Sequence, residues 1–287
     1  MFHPLIQQWF NEKIGTPTAV QEKAWPVISR GENVLVTAPT GSGKTLTAFM
    51  WGLQQLITGE WQTGATRILY ISPLKALNND IQRNLLQPLA GINDIFRENN
   101  KKCPTIRVLT LSGDTPQKDR RKMIRKPPEI LITTPESLNI MLSSQSAAKI
   151  FASMETVILD EIHAVVESPR GVHLMTAIER LVPIAGEFQR IALSATVKPL
   201  DTVAALVGGY RGRQDSGAAD ADGTSPLEPR PVTIIETPEK KNYALSVRFP
   251  PSISPDNRDN FWEPVARDMR EIMDSARSTL IFANNRR

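Results

Sequence analysis

"NVLVTAPTGSGKT", residues 33–45, joins a β-branched run to a glycine-rich turn and then to the start of an amphipathic stretch. A strand that feeds a helix through such a turn lets the backbone wrap a phosphate group. Gly41 and Gly43 allow close main-chain approach, Thr40 and Ser42 complete the turn, and the N–H groups at the helix start supply positive potential. Lys44 is placed to reach terminal phosphates, and the Thr45 hydroxyl to hold a magnesium ion. The first position is Ala38, where the generic pattern has glycine. The alternative is a turn that only connects strand to helix, and the Gly43-Lys44-Thr45 ending argues against it.

The same alternation continues outward. "TRILYIS" from Thr66, "TIRVLTL" from Thr105, "EILITT" from Glu129, "TVILD" from Thr156 and "RIALSA" from Arg190 read as buried strands. Helix-length segments separate them, at 44–57, 75–89, 135–143 and 171–181. This order predicts an α/β fold with a mostly parallel sheet flanked by helices, in which ligands collect at the carboxyl ends of the strands. The pattern breaks after Gly208-Gly209, where "YRGRQDSGAADADGTSPLEPRP" carries almost no large apolar residue and reads as a flexible insertion. The predicted organisation is therefore a first domain over 1–209, a linker over 210–230 and a further segment over 231–287. In that segment "VTIIET", "YALSVRF" and "TLIFA" read as strands, with a helix near 262–276.

Composition narrows the class. With 287 residues, 40% hydrophobic and 22% charged, the chain can bury a sizeable core. A single cysteine, Cys103, cannot form an internal disulfide, and "MFHPLIQQWF" lacks the features of a signal peptide. No apolar run approaches the roughly 18 residues of a membrane span. The expectation is a cytoplasmic protein with no membrane partner. A net charge of +4 permits a polyanionic partner without requiring one.

Two further strand ends carry chemistry. In "VILDEIHAV" an apolar strand delivers Asp160 and Glu161 to its carboxyl end, where one acid can hold the metal and the other can deprotonate an attacking water. In "LSATV" Ser194 and Thr196 can bridge to His163 or to backbone and relay the state of the nucleotide site. His3 and His173 read as structural. The basic run "QKDRRKMIRK", residues 117–126, either lines a phosphate track or forms the solvated face of a helix. Trp9 or Phe10 could stack on a base, although core packing explains each tryptophan as well.

Taken in order, these motifs resemble the superfamily 2 helicases and translocases, whose phosphate loop commonly opens with alanine. Within that superfamily the chain resembles the large helicase-related (Lhr) proteins, through "PTAVQ", "APTGSGKT", "YISPLKAL", "GDTP", "ILITTPESL", "DEIHAV", "ALSATV" and "STLIF". The resemblance implies an ATP-dependent helicase with ATP and Mg2+ as cofactors and Lys44, Asp160 and Glu161 as catalytic residues. Glu161 would be the general base, Thr45 and Asp160 the metal ligands, and Gln21 the adenine reader. His163, Ser194 and Thr196 would couple the sites. Pro73, Lys75, Ala76, Gly113, Asp114, Thr134, Pro135 and Glu136 would grip one nucleic-acid strand, DNA favoured and RNA possible, in a repair role. Turn and cap chemistry is the alternative for Asp114 and Pro135. "STLIFANNRR" resembles the first strand of a second RecA-like domain, so the expectation is an incomplete motor without that domain's arginine fingers, with a separate polypeptide as one way to complete it. The competing expectation is a nucleic-acid-binding or regulatory module that keeps the fold without turnover.

Overall fold

The computed structural model describes residues 1–73, 75–212, 227–237, 244–247 and 262–282, with the side chains of 75–84 outside the description. The chain divides into two compact units, Met1–Glu239 and Lys240–Arg287. In the first, α1 (Pro4–Lys13) and α2 (Ala19–Ser29) precede β1 (Asn33–Thr37), α3 (Lys44–Thr58), β2 (Ile68–Ile71) and α4 (Lys75–Glu98). Then come β3 (Val108–Leu111), α5 (Gln117–Arg125), β4 (Ile130–Thr133), α6 (Pro135–Leu142), α7 (Gln145–Ala148) and β5 (Thr156–Leu159). The unit ends with α8 (Pro169–Ala185), β6 (Gln189–Ser194), α9 (Leu200–Gly208), β7 (Tyr210–Gly212), β8 (Leu227–Pro229) and β9 (Val232–Glu236).

Seven strands form one parallel sheet in the order β3-β4-β2-β5-β6-β1-β9. Side chains of a strand alternate between faces, so a sheet covered on both sides needs apolar residues at successive positions. Val34, Val36, Ile68, Tyr70, Ile130, Ile132 and Ile191 enter the core beneath α1 to α4. Leu35, Leu69, Ile71, Leu131, Val157 and Ala192 enter the core beneath α6, α8 and α9. This is why the strands read as continuous β-branched runs.

β9 departs from the expected organisation. The boundary expected at Gly209 leaves residues 231–237 outside the first domain, yet Val232–Glu236 pairs in parallel with β1 along its whole length. Apolar spacing explains the difference: Ile235 joins one core, while Val232 and Ile234 pack on the other. The expected linker is also partly ordered, because Tyr210–Gly212 pairs antiparallel with Leu227–Pro229. Residues 213–226 lie outside the described residues. Arg230, buried at the end of that stretch, donates to Glu187 at 2.7 and 2.8 Å and to Glu179 at 3.1 Å.

The second unit contains α10 (Trp262–Ser275), as expected from sequence, and none of its residues is buried. The strands expected at "YALSVRF" and "TLIFA" do not form among the described residues, 244–247 and 279–282. A strand exists only with a ladder partner, and the apolar character of these runs does not supply one. No helix among the described residues is long and apolar enough to cross a membrane.

Candidate functional site

The phosphate-loop segment follows β1 as expected. Gly41 and Gly43 have φ of 87° and 84°, the left-handed region that glycine enters without a Cβ penalty. A Cβ on Gly43 would also stand 2.8 Å from Gln21 Nε2, so a side chain there would have to displace the Gln21 amide as well as strain the backbone. Ser42 N–H closes a turn on the Pro39 carbonyl at 3.2 Å, and the Ser42 Oγ is buried without a hydrogen-bond partner in the described structure. Lys44 opens α3, is almost fully buried, and donates its ammonium to the carbonyls of Ala38 and Pro39 at 2.5 and 2.8 Å.

Two strands over, Asp160 leaves β5 buried beside this loop. Its Oδ1 accepts from the Glu161 N–H at 2.8 Å, and its Oδ2 accepts from the Tyr70 hydroxyl on β2. Burial pushes the Asp160 carboxyl above the usual carboxylate range, with the Glu161 charge adding to it; the Tyr70 hydroxyl, the Glu161 N–H and the Lys44 charge pull the other way without cancelling it. Burial likewise raises the Tyr70 phenol, followed by the charge of Asp160, so Tyr70 stays a donor. Glu161 sits at φ 48°, ψ 42°. A non-glycine residue there carries strain of order 1 kcal/mol, a cost concentrated at functional sites. Glu161 Oε2 lies 3.3 Å from His163 Nδ1, which lies 3.3 Å from Ser194 Oγ and accepts from the Ala195 N–H at 3.4 Å. His163 thus joins the acid segment to the end of β6 through Ser194. Thr196 instead lines a neighbouring hollow with His163, Glu167 and Glu236.

A cleft of about 700 Å³ runs beside the loop, lined among others by Gly41, Gly43, Lys44, Thr45, Asp160 and Glu161. Trp9 lines it too while remaining a core residue, whereas Phe10 packs edge-on against Trp25 with centroids 5.3 Å apart. Gln21 is buried behind the loop, where its Oε1 accepts from the Thr18 N–H at 2.9 Å and Thr18 Oγ1 donates to the Ser42 carbonyl at 2.9 Å. In this arrangement Gln21 holds Thr18, and Thr18 holds the loop.

The expected strand-gripping residues gather at the carboxyl ends of β2, β3 and β4, three adjacent strands. Lys75 and Ala76 open α4, and their side chains lie outside the description. Gly113 and Asp114 are exposed in a turn in which Ser112 N–H donates to Thr115 Oγ1 at 2.9 Å. Thr134 caps α6, accepting from Ser137 N–H at 3.3 Å, and Pro135 follows as the first helical residue; both are buried. Cap chemistry therefore operates at these two positions. Glu136 projects outward from the same turn, its side chain 56% exposed.

Two arginines to which the sequence reading gave no role of their own hold these loops. Arg120, from the basic helix α5, donates to the carbonyls of Thr115, Ser112 and Gly113 at 2.9, 2.8 and 3.1 Å. Lys118, Arg121 and Lys122 are exposed, as the solvated-face reading of the basic run has it, while Arg120 braces the turn. Arg170, the second residue of α8, pairs with Glu136 and reaches the Pro73 carbonyl. The Pro-Arg-Gly in "SPRG", eight residues after the acid pair, was the available signal.

Among the described residues no three His, Cys, Asp or Glu side chains cluster as a self-sufficient metal cage. The donor set is one acid and one hydroxyl at the phosphate loop. That suits magnesium, which usually takes one or two protein ligands and fills its shell with phosphate oxygens and water.

Comparison with known proteins extends this geometry. Residues 18–203 match the family model described as DEAD/DEAH box helicase. The "Lhr helicase/ probable uracil glycosylase" of Mycolicibacterium smegmatis is 40% identical over 289 aligned residues, covering 100% of this chain and 18% of that protein. The "ATP-dependent helicase Lhr-Core protein 2" of Thermococcus barophilus is also 40% identical, covering 98% of this chain and 32% of its own length. Among solved structures, the Mycobacterium smegmatis helicase Lhr bound to ssDNA and AMP-PNP superposes with a TM-score of 0.79 at 40% identity, over 99% of this chain and 34% of that one. The chain thus spans 18% and 32% of the length of these two curated relatives.

Proposed function

The chain belongs to the DEAD/DEAH box helicase family, and on that premise we propose that it forms the nucleotide-binding motor domain of an Lhr-type ATP-dependent helicase. In this reading, ATP hydrolysis drives movement along single-stranded nucleic acid, DNA in preference to RNA, in the service of repair. The observation that carries it is the convergence of Lys44, Asp160 and Glu161 on one cleft beside a turn that holds Gly41 and Gly43 in the left-handed region.

The roles follow from the contacts. The Lys44 ammonium, held on two loop carbonyls, would exchange them for the oxygens of a terminal phosphate. Thr45 and Asp160 would supply the protein's share of a magnesium shell, and the ion would neutralise charge on the transferring group. Tyr70 and the Glu161 N–H fix the Asp160 carboxylate in place. Glu161 would take a proton from the attacking water, and its neighbour His163 would pass the state of that carboxylate to Ser194 and Ala195. The loops after β2, β3 and β4 would hold the sugar-phosphate backbone, contacts that position a strand without reading its sequence. A second motor domain, in the same polypeptide or another, would supply arginines worth roughly 10³ to 10⁵ in rate.

The test is magnesium-dependent ATP hydrolysis by the purified protein, with and without single-stranded DNA or RNA, beside Glu161→Gln. Stimulation by a strand that disappears in the variant supports the reading. Hydrolysis that ignores the strand, or survives the substitution, contradicts it.

A further inference from the structure

Arg170 lies outside every motif given a role in the sequence analysis, yet it is the contact that ties two of the strand loops together. Its Nε donates to Glu136 Oε1 at 2.5 Å, and its Nη2 donates to Glu136 Oε2 at 3.1 Å and to the Pro73 carbonyl at 2.8 Å. Pro73 follows β2 and Glu136 lies in the first turn of α6 after β4, so one guanidinium spans the ends of two adjacent strands. The planar fork of arginine suits this use, since it can meet a carboxylate with two donors and still reach a carbonyl.

The position of Arg170 is itself set by its neighbour. A Cβ on Gly171 would stand 2.3 Å from the Val165 carbonyl oxygen and 2.9 Å from its carbon, so only glycine lets α8 start this close to the turn that follows His163. Arg170 is therefore delivered from the acid segment to the strand loops by a stiff connection.

Stability does not account for the bridge. The Arg170 and Glu136 side chains are 38% and 56% exposed, and ion pairs of that exposure contribute little to stability. Electrostatics gives it a purpose. A bare carboxylate at Glu136 would repel a phosphodiester backbone, and the Arg170 hydrogen bonds that hold Glu136 ionised also cancel its charge.

We propose that Arg170 is a positioning residue for single-strand binding. Its bridge to Glu136 and Pro73 fixes the spacing of the loops after β2 and β4 and masks the Glu136 carboxylate from the strand. Glu136 then acts as the anchor for Arg170 and does not itself touch phosphate. The proposal rests on the motor reading above and deepens it.

The experiment is equilibrium binding of a fluorescent oligo-dT strand to the purified protein with magnesium and a non-hydrolysable ATP analogue, over a salt series. The variants are Arg170→Ala, Arg170→Lys, Glu136→Gln and the Glu136→Gln/Arg170→Ala pair. Arg170→Ala should weaken strand binding about tenfold, the scale of one charged hydrogen bond, with analogue affinity unchanged. Arg170→Lys should not restore it, because an ammonium cannot span the same three acceptors. The paired variant should recover part of the loss, because the unmasked carboxylate is gone, and the slope of log K against log salt should stay at the wild-type value. Wild-type affinity in Arg170→Ala would overturn the proposal. So would a slope reduced by about 0.7 with no recovery in the pair, which marks a direct phosphate contact. A wild-type protein that binds no strand at all would overturn the motor reading and this proposal with it.

Discussion

The two ends of the same sheet use charge differently, although Arg170 and Glu136 pair at the carboxyl end too. At the amino ends of the strands every arginine considered meets a carboxylate: Arg67 with Glu155, Arg107 with Glu129, Arg190 with Glu179 and Arg230 with Glu187. At the carboxyl ends, Lys44, Asp160 and Glu161 face one cleft and lean on main-chain groups and on Tyr70. Paired charges at one end hold the molecule together. Charges at the other end gather on one cleft, beside a strained Glu161 and two left-handed glycines.

This contrast can be broken deliberately. The largest expected effect is on chemistry: Glu161→Gln should retain ATP binding and lower strand-stimulated hydrolysis by roughly 10² to 10⁴, the range of a lost general base, with its melting temperature unchanged. A steady-state ATPase assay and a thermal melt check both halves. At the opposite end Glu179→Ala should do the reverse. It removes the carboxylate from Arg190, which is 0% exposed and already has Nε and Nη2 without hydrogen-bond partners among the described residues. An uncompensated buried charge costs about 3 kcal/mol or more, so urea unfolding should show a loss of that size while ATP affinity in the remaining folded protein is unchanged.

Acid should destabilise the molecule through its amino end. Burial raises the Glu129 carboxyl, but hydrogen bonds from the Arg107 and Gly64 N–H groups and the Arg107 guanidinium outweigh it and leave it below its ordinary value. Its contribution is therefore present above the unfolded carboxyl pKa of about 4.3 and is lost as pH falls through the lower folded value. Melting temperature measured against pH should fall below about pH 4, and Glu129→Gln should flatten that part of the curve while lowering the plateau. The smallest effect sharpens the comparison within the carboxyl end. Arg120→Ala frees three loop carbonyls and should weaken oligo-dT binding by a few-fold, within the range of one neutral hydrogen bond. Nucleotide affinity should not change.

Much of this organisation is legible in the sequence because it depends on local patterns. β-branched runs announce strands buried on both faces, and the glycine turn before Lys44 announces the phosphate loop. "DEIH" and "SAT" stand at strand ends, and the contact of His163 with Ser194 is as expected. What escapes is decided by distant partners. β9 is a short apolar run whose place beside β1 depends on two cores 200 residues away in sequence, and the polar composition of residues 210–230 pulls the apparent boundary upstream of it. Arg120 and Arg170 sit in helices where arginine is ordinary. Only their reach to backbone carbonyls of other loops distinguishes them. Gln21 reads as an adenine contact by resemblance, while its burial and its bond to Thr18 depend on how closely Gly43 approaches.

The most direct test of the division between the two ends is calorimetric titration of magnesium–ATP into the wild-type protein, Lys44→Ala and Glu179→Gln. The account expects binding in the wild type and in Glu179→Gln, and a loss of at least tenfold in Lys44→Ala, the scale of a charged hydrogen bond. Equal affinity in Lys44→Ala and wild type would mean that the carboxyl end of this sheet is not the nucleotide site.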